Sequence, residues 1–213
     1  MKFSLIPRDE KFFDLLLEHI KGVQSGVALF RQIVEKWPVK KHDHVLIPAG
    51  TVHCSGANSV VLEISATPYI FTFKMYDWVR LDLEGAPRPI NIEHAFKNLN
   101  FERKGAIVKD ELISKQIIAE VHDGWQVVHL STHTDHFYSV QRIEFTGAVN
   151  LPTNDQCHIM MLVEGDFIIV KTRHGKAQRF NYAETFIIPA AAGAYELINE
   201  GKAIAKVIKA FIK

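Results

Sequence analysis

Residues 42–56 read His42-Asp43-His44-Val45-Leu46-Ile47-Pro48-Ala49-Gly50-Thr51-Val52-His53-Cys54-Ser55-Gly56. Val45-Leu46-Ile47 is a short β-branched run, and the Pro-Ala-Gly that follows is turn chemistry. The pattern predicts a strand ending at Ile47, a reversal of the chain, and His53 entering the next strand. Residues 59–64 and 69–73 have the same β-branched or aromatic texture, bounded by Gly56 and Pro68. A lone histidine after a turn is ordinarily structural, so His53 gains meaning only from what surrounds it.

Further along the chain, Pro87-Arg88-Pro89 reads as a rigid extended loop, 92–99 as a short helix, and 102–124 as a polar connection. Residues 126–130, 137–145, 158–162, 167–172, 178–182, 185–189, 194–199 and 204–211 are then short strand-like runs. Turn signals separate them, including Thr146-Gly147, Glu164-Gly165-Asp166 and His174-Gly175-Lys176. Strands at this spacing, with few helix signals, predict a closed antiparallel barrel or jelly roll.

The start of the chain differs. Phe12, Leu16, Ile20, Val23, Val27, Phe30 and Val34 recur at steps of three or four and predict an amphipathic helix within residues 1–36. Asp9 or Asp14 is placed to cap it after Pro7. Gly22 and Gly26 weaken its middle, each by roughly 1 kcal/mol relative to Ala. Such a helix cannot bury its stripe alone and needs the following domain or a second copy of itself.

Charge is nearly balanced, 25 basic against 24 acidic residues, which argues against nucleic-acid and membrane-surface partners. Cys54 and Cys157 lack metal-like spacing, and two lone cysteines without an export signal predict reduced thiols in the cytoplasm. Arg8-Asp9-Glu10-Lys11 follows Met1 too soon for a signal-peptide apolar core. No apolar run approaches the ~18 residues that span a bilayer.

As a whole, residues 42–56 resemble the second cupin motif of class I, zinc-dependent mannose-6-phosphate isomerases. The resemblance continues through NSVVLEI at 58–64, Tyr76-Asp77-Trp78-Val79-Arg80, which is similar to the family's Tyr-Asp-Trp-Gly-Arg, and GAPRPINIEHA at 85–95. It runs from about residue 37 to the C-terminus and is strongest over 39–101. It implies a mainly β cupin jelly roll, with the end of a metal-binding barrel at 37–105, a connection at 106–124 and a complete C-terminal barrel at 125–213. It further implies that His53 is a zinc ligand and that Arg80 stands near the reacting carbons of mannose 6-phosphate. Converting that aldose to fructose 6-phosphate moves a proton between C1 and C2. A divalent metal polarises the oxygens, and a fixed guanidinium holds the developing negative charge. Without its motif, Arg80 would read as a surface ion pair with Asp77 or Asp82.

Three departures temper this. The family's other ligands lie upstream, in a Gln-x-His-Pro segment and a glutamate, and nothing before residue 37 matches them. A catalytic zinc needs about three protein ligands and an open position. Val79 replaces the family glycine, a strained exchange if that position needs positive φ. Residues 1–33 resemble instead the opening of PhoU-like phosphate-transport regulators. The first barrel is thus expected to be truncated, its open edges covered by the amphipathic helix or by a second chain in a homodimer.

Other ligand candidates are His133, Asp135 and His136 with Asp123 and His129 nearby, and also His42 and His44; Asp43 reads as a turn residue. Gln156-Cys157-His158 copies the Gln-x-His spacing, but Pro189-Ala190-Ala191-Ala192-Gly193 carries no histidine, so the C-terminal barrel is expected to be metal-free. Lys40, Lys41 and Lys74 are available cations. Three functions follow: a mannose-6-phosphate isomerase, weakly active or inactive as an isolated chain; a non-catalytic sugar-phosphate-binding or regulatory cupin; or an interaction module using the N-terminal helix.

Overall fold

In the computed structural model, the described residues are 2–4, 36–56, 58–66, 72–75 and 81–213. The chain divides into two compact units, Met1–Ile113 and Ser114–Lys213.

The C-terminal unit is built from ten antiparallel strands: β3 (Gln116–His122), β4 (Trp125–Leu130), β5 (Tyr138–Phe145), β6 (Gly147–Pro152), β7 (His158–Glu164), β8 (Phe167–Thr172), β9 (Gln178–Asn181), β10 (Thr185–Ile188), β11 (Ala194–Asn199) and β12 (Ala205–Ile212). One sheet has the order β10-β7-β12-β5-β4-β3, the other β6-β11-β8-β9. Inward residues of both sheets form one core, among them Ile143, Phe145, Leu162, Ile168, Leu197 and Val207, each at most 1% exposed. Burying a side chain of this size is worth about 1.5–3 kcal/mol.

The sequence predicts a closed barrel or jelly roll, and the unit is a two-sheet jelly roll whose sheets are not closed. Two of its strands were not expected. In β6, Val149 and Leu151 alternate inward with exposed Ala148 and Asn150, a signal too short to stand out before Pro152. The other, β3, falls inside the stretch expected to be a connection. All seven of its residues are exposed, so its conformation comes from pairing with β4 and not from burial. The pairing of β3 with β4 is irregular between Ile118 and Glu120, as at a β-bulge, a device found on sheet edges.

In the N-terminal unit, β1 (Lys2–Ser4) pairs antiparallel with β2 (Lys36–Pro38). The expected amphipathic helix therefore does not reach either end of 1–36, and residues 5–35, which would carry it, lie outside the described residues. A helix, α1 (Ile92–Asn98), forms where a short one was expected and is followed by a π-helical turn, Val108–Leu112. Leu46, Val108 and Leu112 pack together with partly buried Trp37 against them.

Two strand expectations fail here. Within 45–47, Val45 makes an isolated bridge with Ile113, and the Leu46 N–H donates to Leu112 O at 2.7 Å. Residues 59–64 have strand composition but join no ladder, leaving Val60 87% exposed. Residues 72 and 73 form no strand, and 69–71 lie outside the described residues. Among the described residues no helix is long and apolar enough to cross a membrane.

Candidate functional site

The segment 42–56 is organised by two turns. The backbone N–H of Lys40 donates to Asp43 Oδ2 at 2.8 Å, and that of Asp43 to Lys40 O at 3.1 Å, so Asp43 closes a turn. The second turn runs from Pro48 to Thr51, whose N–H and hydroxyl both donate to Pro48 O, at 3.2 and 2.6 Å. Gly50 has φ +80°, the third-residue requirement of a type II turn. A Cβ there would also lie 2.6 Å from Asn98 O at the end of α1, so glycine is needed for conformation and for space.

Arg103 locks this turn. Its Nη1 donates to the carbonyls of Pro48 and Ala49 and to Thr51 Oγ1, at 2.9 Å for the last. The sequence carries no signal for that role, because Arg103 stands alone in an apparently featureless polar stretch, 52 residues away from Thr51.

His53 follows the turn, exposed to solvent, with Nδ1 2.9 Å from Thr51 O. A carbonyl only accepts, so Nδ1 carries the proton and Nε2 holds the lone pair of the neutral ring. Metal-binding histidines are commonly oriented in this way. One ligand does not make a zinc centre, however. No group of three His, Cys, Asp or Glu side chains able to hold a metal forms among the described residues. Cys54, next in the chain, is a poor thiolate donor, since burial pushes its pKa up to about 12. The described residues therefore do not fit the zinc implied by the resemblance. Arg80 lies outside them. Of its suggested partners, Asp82 is committed to a turn, its Oδ1 accepting from the Glu84 and Ala86 N–H groups, each at 2.9 Å.

No family model matches the chain. Among curated proteins it is 22% identical over 180 residues to the probable mannose-6-phosphate isomerase GmuF of Bacillus subtilis (strain 168), covering 84% of this chain and 53% of that one. Among solved structures, the mannose 6-phosphate isomerase from Bacillus subtilis superposes with a TM-score of 0.60 at 20% identity, over 89% of this chain and 58% of that one. The cupin domain of Schizosaccharomyces pombe Cnp3 matches more distantly, with a TM-score of 0.36 at 14% identity over 45% of this chain and 64% of that one. The fold is a cupin jelly roll. The chain spans a little over half the length of the isomerases it matches. These comparisons give no support to the resemblance of residues 1–33 to PhoU-like regulators.

Within the C-terminal cupin unit, the remaining candidates separate. The His136 N–H donates to His133 O at 3.0 Å, so His133–His136 is a turn, with His133 Nδ1 3.3 Å from Asp135 Oδ2. Lys213 Nζ donates to His136 O at 2.7 Å. Burial, and then the charges of His133 and Lys213, lower the pKa of His136 against the pull of Asp135. Asp123 belongs to the β3–β4 turn and His129 to β4. Gln156 donates to Ile212 O at 2.9 Å, and Cys157 is exposed.

His158 is 2% exposed on β7, its Nδ1 2.9 Å from the hydroxyl of equally buried Tyr195 on β11. Burial first, then the charge of Lys209, lower its pKa to about 4. A Gln-x-His spacing thus ends in a histidine–tyrosine hydrogen bond that ties the two sheets together. Tyr195 had no sequence signal beyond a place in a strand.

Proposed function

We propose that this chain is a mannose-6-phosphate isomerase-like cupin that takes mannose 6-phosphate and, as an isolated chain, interconverts it with fructose 6-phosphate weakly or not at all. The observation that carries the reading is the similarity to isomerases along 84–89% of the chain, including residues 42–56. Weak turnover is proposed because no group of side chains able to hold a metal forms among the described residues, and a zinc centre would need ligands from outside them.

Two residues are assigned roles within this proposal. His53, whose Nδ1 lies against Thr51 O, would hold a zinc ion through Nε2 if further ligands completed the site. Arg80 is assigned the negative charge that develops on the sugar oxygens as the proton leaves C2; a guanidinium suits this because it stays charged and forks onto adjacent oxygens. The homodimer through residues 1–36 is a proposal of the same kind, and sedimentation of the full chain at several concentrations tests it.

The functional test is a coupled isomerase assay with added zinc, run beside calorimetric titration of mannose 6-phosphate. The expected outcome is measurable binding with slow or absent turnover, and any turnover present is lost in His53→Ala. Fast turnover that disappears in His53→Ala would show a complete metal centre and overturn the weak-activity part. Absence of both binding and turnover would overturn the whole reading.

A further inference from the structure

On β12, Ala205 and Val207 point into the core, so alternation places Lys209 on the same inner face. Ile143 and Phe145 place Gln141 of β5 on that face, and Trp125, which packs on the core, does the same for His129 of β4. Lys209 is paired in register with Gln141, and Gln141 with His129. Three polar side chains on adjacent strands therefore stand side by side, with Cβ atoms roughly 5 Å apart. All three are partly buried, and among the described residues none makes a side-chain hydrogen bond or ion pair.

Two lysines of one strand make the contrast. Lys206 faces outward and has carboxylates at hand, Glu164 at 3.3 Å and Glu144 at 4.0 Å. Lys209 faces inward, and its Nζ lies 4.9 Å from the centre of the Phe211 ring. Glu120 of β3 attracts it but forms no ion pair within 4.0 Å, and burial lowers the lysine's pKa in spite of that attraction. His158, on the same inner face, is held neutral partly by the charge of Lys209. The Lys209 ammonium thus has an aromatic face as its neighbour and no paired carboxylate among the described residues, and the fold sets it beside an amide and an imidazole that are also open to a ligand. The row also has an open end, since its next member is Ile117 on β3, 53% exposed.

We propose that Lys209, Gln141 and His129 form a metal-free binding site for a small organic anion, with its carboxylate or phosphate on the Lys209 ammonium and its polar groups on Gln141 and His129. The ammonium supplies the charge, the amide donates and accepts, and the imidazole does either. The site lies in the C-terminal unit and does not depend on the isomerase reading.

Titration of the full chain with inorganic phosphate and, separately, with malonate tests this and tells the two anion chemistries apart. Saturable binding of at least one, with a Kd below about 1 mM, is expected. Lys209→Met should weaken it at least tenfold, and Lys209→Arg should retain most of it. Should Lys209→Met fail to fold, Gln141→Leu carries the same test, with weaker binding expected. The proposal is overturned if neither anion binds, or if a folded Lys209→Met or Gln141→Leu protein binds with the parent's affinity.

Discussion

Val60-Val61 and Val127-Val128 are the same dipeptide in the two units of this chain, yet their fates are opposite. The first pair is 87% and 55% exposed in a stretch that joins no sheet. The second pair is 3% exposed at both positions, in a strand laddered on both sides. β-Branched composition suits a pleated surface, but a ladder and a covering layer decide whether the strand forms. The C-terminal unit supplies the ladder to both valines, and its two-sheet core covers the face that carries Val127. The N-terminal unit holds its described segments chiefly through turns, a small apolar cluster and the guanidinium of Arg103.

The largest test of that contrast is Leu162→Ala, which removes a fully buried side chain from the C-terminal core. It should cost about 3–5 kcal/mol in urea unfolding followed by the fluorescence of Trp125. A loss below about 1 kcal/mol would mean that this core collapses freely onto the gap, and that the two units are alike in looseness.

The same contrast explains what the sequence shows in advance. Strands such as Phe167–Thr172 and Ala194–Asn199 were legible with their bounds, because turn residues punctuate them and burial agrees with composition. β3 was not legible, because an edge strand made by one neighbour's hydrogen bonds needs no apolar alternation. Residues 59–64 were misread for the converse reason, having composition without a partner. His53 stands out in the sequence through its motif, whereas Arg103, Tyr195 and Lys209 do not. Their significance lies in contacts with residues that are far away in sequence, or in contacts they fail to make.

A smaller effect is expected at the buried pair that joins the two sheets of the C-terminal unit. His158→Phe strands the Tyr195 hydroxyl and should cost about 1–3 kcal/mol, while His158→Phe with Tyr195→Phe should recover most of it. Acid also reads this pair. Folded His158 has a pKa near 4 against 6.5 for an ordinary histidine, so the unfolded chain takes up the proton first. Its contribution to stability is complete above about pH 6.5 and lost as pH falls toward 4. Denaturation curves across that window should show a loss that the double variant lacks. An identical pH dependence in both proteins would remove His158 from the account.

In the N-terminal unit, Gly50→Ala forces a Cβ against Asn98 O at positive φ and should cost about 1–2 kcal/mol, read by Trp37 in a Trp78→Phe/Trp125→Phe background. If stability is unchanged, the turn ahead of His53 is not held against α1 in solution.

The smallest effect is expected at Val60. Its side chain is 87% exposed, so Val60→Ser should change stability by less than about 0.5 kcal/mol. That near-zero expectation tests the comparison from its weak side. A β-branched run left in water is a poor use of apolar surface, and the same residues paired in a sheet would be worth several times more. A cost above about 1 kcal/mol would mean that solution supplies the missing ladder, through a second copy of the chain or another partner. Measuring Val60→Ser at low and high protein concentration separates the cases. A cost that appears only at high concentration would show that residues 59–64 become a strand on assembly, and the difference between the two units would then belong to the monomer alone.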